Sequence, residues 1–142
     1  MSPPPAIARR TDPSEALEPL VRDGAVSLDG LIDDGMVETL RQGLGRAVDL
    51  SAATMRAKGM ATSGSGIAHH VLGADSGFED FLEALPAAGL IETFLGGSFI
   101  LNSFGGLMNR PTAGGEYLHR WHRDLRAFSP GDDLRLMINM LI

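Results

Sequence analysis

Length, composition and charge place this chain among acidic, single-domain proteins. It has 142 residues, of which 18 are acidic and 12 are basic, so its net charge is −6. Its length is that of one domain, and its 44% of apolar residues can fill a core. The charge balance and the lack of a Lys- or Arg-rich run argue against a nucleic-acid partner or a membrane-surface anchor.

The absence of cysteine excludes disulfides, thiolate zinc sites and iron–sulfur clusters. No apolar stretch approaches the roughly 18 residues that a membrane helix needs. The proline-rich start lacks the apolar stretch of a signal peptide. We therefore expect a cytoplasmic protein.

The N-terminal elements are predicted from caps and prolines. Residues 1–11 are expected to be a flexible N-terminus, and one domain begins at residue 12. Asp12 followed by Pro13 is typical of a helix start, and Pro19 is expected to keep that helix short. The apolar run 25–28 favours a strand.

A longer helix follows, capped by Asp33 or Asp34. Its apolar residues recur at helical spacing, and they are Met36, Val37, Leu40, Leu44, Val48 and Met55. Glycines and serines crowd residues 59–77, which predicts a long loop, and long loops in compact domains are often functional.

Two short amphipathic helices, 77–85 and 87–95, are separated by Pro86, and Gly96 is expected to end the second one. After Gly96 the period of the apolar residues changes, and strands are predicted at 98–104, 116–125 and 134–142. Helices that precede strands indicate an α+β fold with a mainly antiparallel sheet.

The residues that point to chemistry lie in the second of these strands. Alternate residues of a strand share a face, so His122 and Asp124 are expected to project together, whereas His119 projects from the opposite face. Together with a distant second histidine, His122 and Asp124 would form the two-histidine, one-carboxylate ligand set of non-heme Fe(II) oxygenases. From spacing alone, a hydrogen-bonded surface pair is the favoured interpretation of His122 and Asp124.

The wider sequence resembles the phytanoyl-CoA dioxygenase family of Fe(II)- and 2-oxoglutarate-dependent oxygenases. The similarity is strong over residues 96–142 and looser before them. The matching stretches are Ile-Leu-Asn-Ser-Phe-Gly-Gly at 100–106, His-Arg-Trp-His-Arg-Asp at 119–124, Arg-Ala-Phe-Ser at 126–129 and Leu-Met-Ile-Asn-Met-Leu at 136–141.

This resemblance implies helices packed on a double-stranded β-helix, or jelly roll. His122 and Asp124 would be the first two ligands of Fe(II). The implied reaction consumes O₂, converts 2-oxoglutarate into succinate and CO₂, and oxidises a C–H bond of a small-molecule substrate. Halogenating relatives lack the carboxylate ligand, so Asp124 implies hydroxylation.

Three polar residues have a functional and a structural interpretation each. Asn109 corresponds to an amide that binds the oxoacid in relatives, or it is a turn residue before Pro111. Asn139 interrupts an apolar strand, where a buried amide needs partners; these are either the cosubstrate or neighbouring backbone. His70 falls in the region that reaches over the pocket in similar enzymes, or it is a surface histidine.

Arg126, with Trp121 and Arg123, could line the substrate entrance, although the solvent face of a strand explains these residues equally well. The resemblance also requires a distal histidine and an arginine that clamps the far carboxylate of 2-oxoglutarate. The 18 residues after Asp124 contain no histidine, and Arg126 and Arg135 are too close to the motif. We therefore expect the N-terminal part of such an enzyme, with little or no turnover by this chain alone.

Two other functions remain open at this point. One is a non-catalytic domain or remnant in which His122 and Asp124 are a structural pair. The other is a cupin-like metal site that uses His119 and His122, which a β-bulge could bring to the same face.

Overall fold

A computed structural model of the chain describes residues 6–60, 66–108, 135 and 137–142. Its elements mix helix and strand, which confirms the coarse α+β prediction. No jelly roll is present among the residues that are described. The elements in chain order are β1 (Ala8–Arg10), a 3₁₀ turn (Pro13–Glu15), α1 (Leu17–Asp23), β2 (Val26–Leu28), α2 (Asp34–Ala57), β3 (Gly66–Ala68), α3 (Ser76–Ala84), α4 (Ala88–Leu95) and β4 (Gly106–Met108).

These elements form two compact units. The first unit comprises Met1–Asp33, Leu85–Ile100 and Phe128–Ile142, and the second comprises Asp34–Ala84 and Leu101–Ala127. In the described part of the chain, each unit holds one two-stranded sheet. In the sheet of the first unit, β1 and β2 are parallel. In the sheet of the second unit, β3 and β4 are antiparallel. The expectation of a mainly antiparallel sheet is therefore wrong for the first unit.

The 3₁₀ turn of the first unit begins with the predicted cap at Asp12. Its carboxylate accepts a hydrogen bond from the Ser14 N–H at 2.8 Å, which satisfies a donor that the turn leaves free. The helix α1 is short, as predicted, with seven residues, but Pro19 lies inside its first turn and does not end it. A proline is tolerated there, since the first N–H groups of a helix have no partner within the helix.

The core of the first unit lies between α1 and α4. Its buried residues are Ala16, Leu20 and Leu90, and the residues packed around them are Leu17, Val26, Leu28, Phe94 and Ile138. The helix α4 ends as predicted at Gly96, whose φ of 77° is the left-handed conformation that glycine adopts most easily.

The second unit is built on α2, which confirms the long helix predicted between the acidic cap and Met55. Its inner side is buried at Leu40, Gly43, Ala47 and Val48. The helix α3 and the β3–β4 pair pack along α2. Between α2 and α3, a Cβ atom on Gly43 would come within 3.1 Å of the Phe78 ring. Glycine at this position therefore allows the two helices to approach closely.

Several predicted strands and loops differ from the structure. Strand β1 lies inside the N-terminus that was expected to be flexible, and β3 lies inside the predicted loop 59–77. Residues 98–104 form no strand, since the extended pairing begins at Gly106. The predicted strand 116–125 lies outside the described residues. The described residues of 134–142 form no strand either.

Candidate functional site

Most of the predicted site lies where the structure gives no description. His122 and Asp124, the two expected iron ligands, fall outside the described residues, as do Asn109, Arg126 and His119. Within the described part of the chain, no cluster of three or more His, Cys, Asp or Glu side chains could hold a metal ion. The iron site therefore stays a prediction from the sequence.

The β3–β4 pair is the described element nearest in sequence to the predicted site. Met108, the residue before Asn109, pairs with Gly66, and Gly106 pairs with Ala68. A Cβ atom on Gly66 would lie 3.0 Å from the Met108 Cβ and 3.4 Å from Val48. This face of the pair thus packs against α2, and the glycine at position 66 lets the strands lie close to the helix.

Alternation along β3 and β4 places Ile67 and Leu107 on the other face of the pair. The two residues are partners in the strand register. Leu107 is 43% exposed, and Ile67 is partly buried. The outer face of the pair is therefore apolar.

An aromatic cluster packs the segment that leads into β4 against α3. The Phe104 ring meets Phe78 edge to face, with centroids 5.5 Å apart, and lies 6.1 Å from the ring of Phe81. The Phe104 carbonyl accepts a hydrogen bond from the Val71 N–H at 3.1 Å. These contacts tie α3, the segment after β3 and the start of β4 into one packed group.

His70 follows β3 on the segment that this cluster anchors. Both His69 and His70 are exposed, whereas Val71 is buried. In the antiparallel register, His70 follows the Ala68 end of β3, whereas Met108 lies at the Gly66 end. The structure therefore places His70 at the opposite end of the pair from Met108, which precedes Asn109.

Asn139 is the other predicted site residue that the structure describes. Its side chain is exposed and lies in a segment without regular strand pairing. The expectation of a buried amide in an apolar strand is therefore wrong, although Asn139 does interact with another group. Its proposed contact with 2-oxoglutarate stays a prediction.

Arg135 makes two contacts with Phe94 in the first unit. Its guanidinium lies 5.1 Å from the centroid of the Phe94 ring. It also donates a hydrogen bond at 3.1 Å to the Phe94 carbonyl near the end of α4. A cation at a helix C-terminus is favoured because the carbonyl groups there carry negative partial charge. These contacts connect the described C-terminal residues of the first unit to α4.

Sequence reasoning missed the role of Asp75, which joins α2 to α3. One oxygen of Asp75 accepts a hydrogen bond from the Gly77 N–H at 3.1 Å, and the other accepts one from Arg46 at 2.6 Å. Both bonds stabilise the carboxylate and lower the pKa of Asp75, the backbone bond from Gly77 having the larger effect. The signal in the sequence is an Asp immediately before the first residue of a helix, the N-cap position, whose carboxylate accepts from an N–H of the first turn.

Glu79 on α3 is hydrogen-bonded to the segment between β3 and α3. Its Oε1 atom accepts a hydrogen bond from the Gly73 N–H at 2.8 Å. Its Oε2 atom is buried and has no hydrogen-bond partner among the described residues. Gly73 has a φ of 77°, so the turn that offers this N–H requires a glycine.

The first unit contains an open cleft of about 380 Å³ between the 3₁₀ turn and α4. Its walls are mainly apolar, formed by Pro13, Leu17, Pro86 and Leu90, and Ser14 and Thr93 also line it. The Thr93 hydroxyl already donates to the Gly89 carbonyl at 2.7 Å. Among the described residues, no titratable side chain lines this cleft.

Comparison with known proteins leaves the family open. No family model matches the chain, and neither a curated protein nor a solved structure matches it. In the described part of the chain, no helix has both the length and the apolar character needed to span a bilayer. The functional assignment therefore depends on the chemistry of the residues themselves.

Proposed function

We propose that this chain forms the N-terminal part of an Fe(II)- and 2-oxoglutarate-dependent dioxygenase that hydroxylates a small organic substrate. The observation that carries the proposal is the stretch His-Arg-Trp-His-Arg-Asp at 119–124, in which His122 and Asp124 have the spacing of two iron ligands. The mixture of helices and strands supports it at the level of fold class.

The donor atoms fit the metal. A neutral imidazole nitrogen from His122 and a carboxylate oxygen from Asp124 are suited to Fe(II), and no thiolate is available to favour a softer metal. When bound, the iron supplies the O₂ chemistry that couples decarboxylation of 2-oxoglutarate to oxidation of a C–H bond. Because His122 must be neutral to bind, its affinity for iron is expected to fall at acidic pH.

Other residues of the chain would bind and orient the organic groups. The amides of Asn109 and Asn139 are proposed to donate hydrogen bonds to the carboxylates of 2-oxoglutarate. His70, which is exposed on the segment after β3, and Arg126 are proposed to contact the substrate. The distal histidine and the arginine clamp would come from chain outside this sequence.

The direct test is an anaerobic titration of the full-length protein with Fe(II) and 2-oxoglutarate. A weak charge-transfer band in the visible spectrum is expected when both are bound. The variants His122→Ala and Asp124→Ala should lose the band, because each removes one metal ligand.

Two histidine variants serve as matched controls. His69→Ala removes an exposed imidazole and should leave the band unchanged. His119→Ala should also retain it, whereas loss of metal binding in that variant would favour the cupin-like site. If the wild-type protein gives no band, or if His122→Ala keeps it, the iron assignment is wrong.

A further inference from the structure

We draw no further inference here: the strongest candidate, the apolar outer face that Ile67 and Leu107 form on the β3–β4 pair, carries no proposal because nothing in the structure shows what covers it.

Discussion

The contact between Phe78 and Phe104 predicts a measurable coupling between α3 and the start of β4. The two rings meet edge to face, with centroids 5.5 Å apart and an interplanar angle of 86°. We consider the variants Phe78→Leu and Phe104→Leu together with the double variant. Leucine keeps both positions apolar, so the chain is expected to fold in every case.

The size of the effect follows from burial and ring geometry. Phe78 is 4% exposed, and replacing its ring with leucine removes three carbons, or about 2 kcal/mol at roughly 0.8 kcal/mol per buried CH₂. Phe104 is only partly buried, so its replacement should cost less. An edge-to-face pair adds about 0.5–1.5 kcal/mol beyond the burial of area. The double variant should therefore lose less stability than the sum of the two single losses, by that amount.

Urea unfolding followed by far-UV circular dichroism measures the four free energies of the cycle. Phe94→Leu, combined with Phe78→Leu, is the matched control, because Phe94 packs against Arg135 in the first unit. The losses of that control pair should add within about 0.3–0.5 kcal/mol. If the Phe78–Phe104 pair is equally additive, the two rings do not touch in solution and the packing described for β4 is wrong.

Further predictions concern the α2–α3 contact and the end of the first unit. Gly77→Ala should destabilise the protein by about 1–3 kcal/mol, since its new Cβ would lie 2.5 Å from the Thr39 methyl. Adding Thr39→Ser removes that methyl and should restore part of the lost melting temperature. An unchanged melting temperature in Gly77→Ala would refute the close approach of α3 to Thr39. The lowered pKa of Asp75 means that its carboxylate stabilises the fold above its unfolded pKa near 3.8, and that this contribution is lost as pH falls through the lower folded value. Stability curves of wild type and Asp75→Asn should therefore differ at neutral pH and converge at strongly acidic pH, with Arg46→Ala showing a smaller difference of the same sign; curves that stay parallel would contradict this. Arg135→Met should speed amide hydrogen exchange in the segment that follows it, and unchanged exchange would show that the contact with α4 does not hold that segment.

The helices could be predicted from the sequence because their signals are local. Each signal lies within a few residues of the helix turn that it determines. The three signals are the spacing of apolar residues from Met36 to Met55, the cap at Asp12 and the glycine at Gly96. The structure confirms all three. The helix that contains Pro19 is short, as predicted, but the proline lies in its first turn because the preceding 3₁₀ turn sets where the helix begins.

The apolar run 25–28 correctly predicted β2, whereas β3 and β4 could not be predicted because their partners lie far along the chain. Strand β3 pairs with a segment about forty residues later, and each strand has only three residues. Gly66 and Gly106, which usually indicate turns, occur within these strands because the backbone there passes close to α2. Composition around these glycines therefore predicted a loop where the structure has a paired strand.

The candidate site was predicted from the spacing of His122 and Asp124 and from the resemblance of the surrounding motifs, and both residues lie outside the described part of the chain. Spacing could suggest that His122 and Asp124 share a strand face, but it could not distinguish a metal site from a surface pair. Asn139 shows the limit of such reasoning, since an amide in an apolar run was expected to be buried and is exposed. Burial depends on contacts between distant segments, which a single sequence does not encode locally.

The central claim is that His122 and Asp124 bind Fe(II), and the iron content of the full-length protein tests it most directly. The protein is loaded with Fe(II) under anaerobic conditions, desalted and analysed for metal, alongside His122→Ala, Asp124→Ala and the control His69→Ala. We predict about one iron per chain for the wild type and the control, and a large loss in both ligand variants. Absence of stoichiometric iron in the wild type, or equal iron in all four proteins, would contradict the claim.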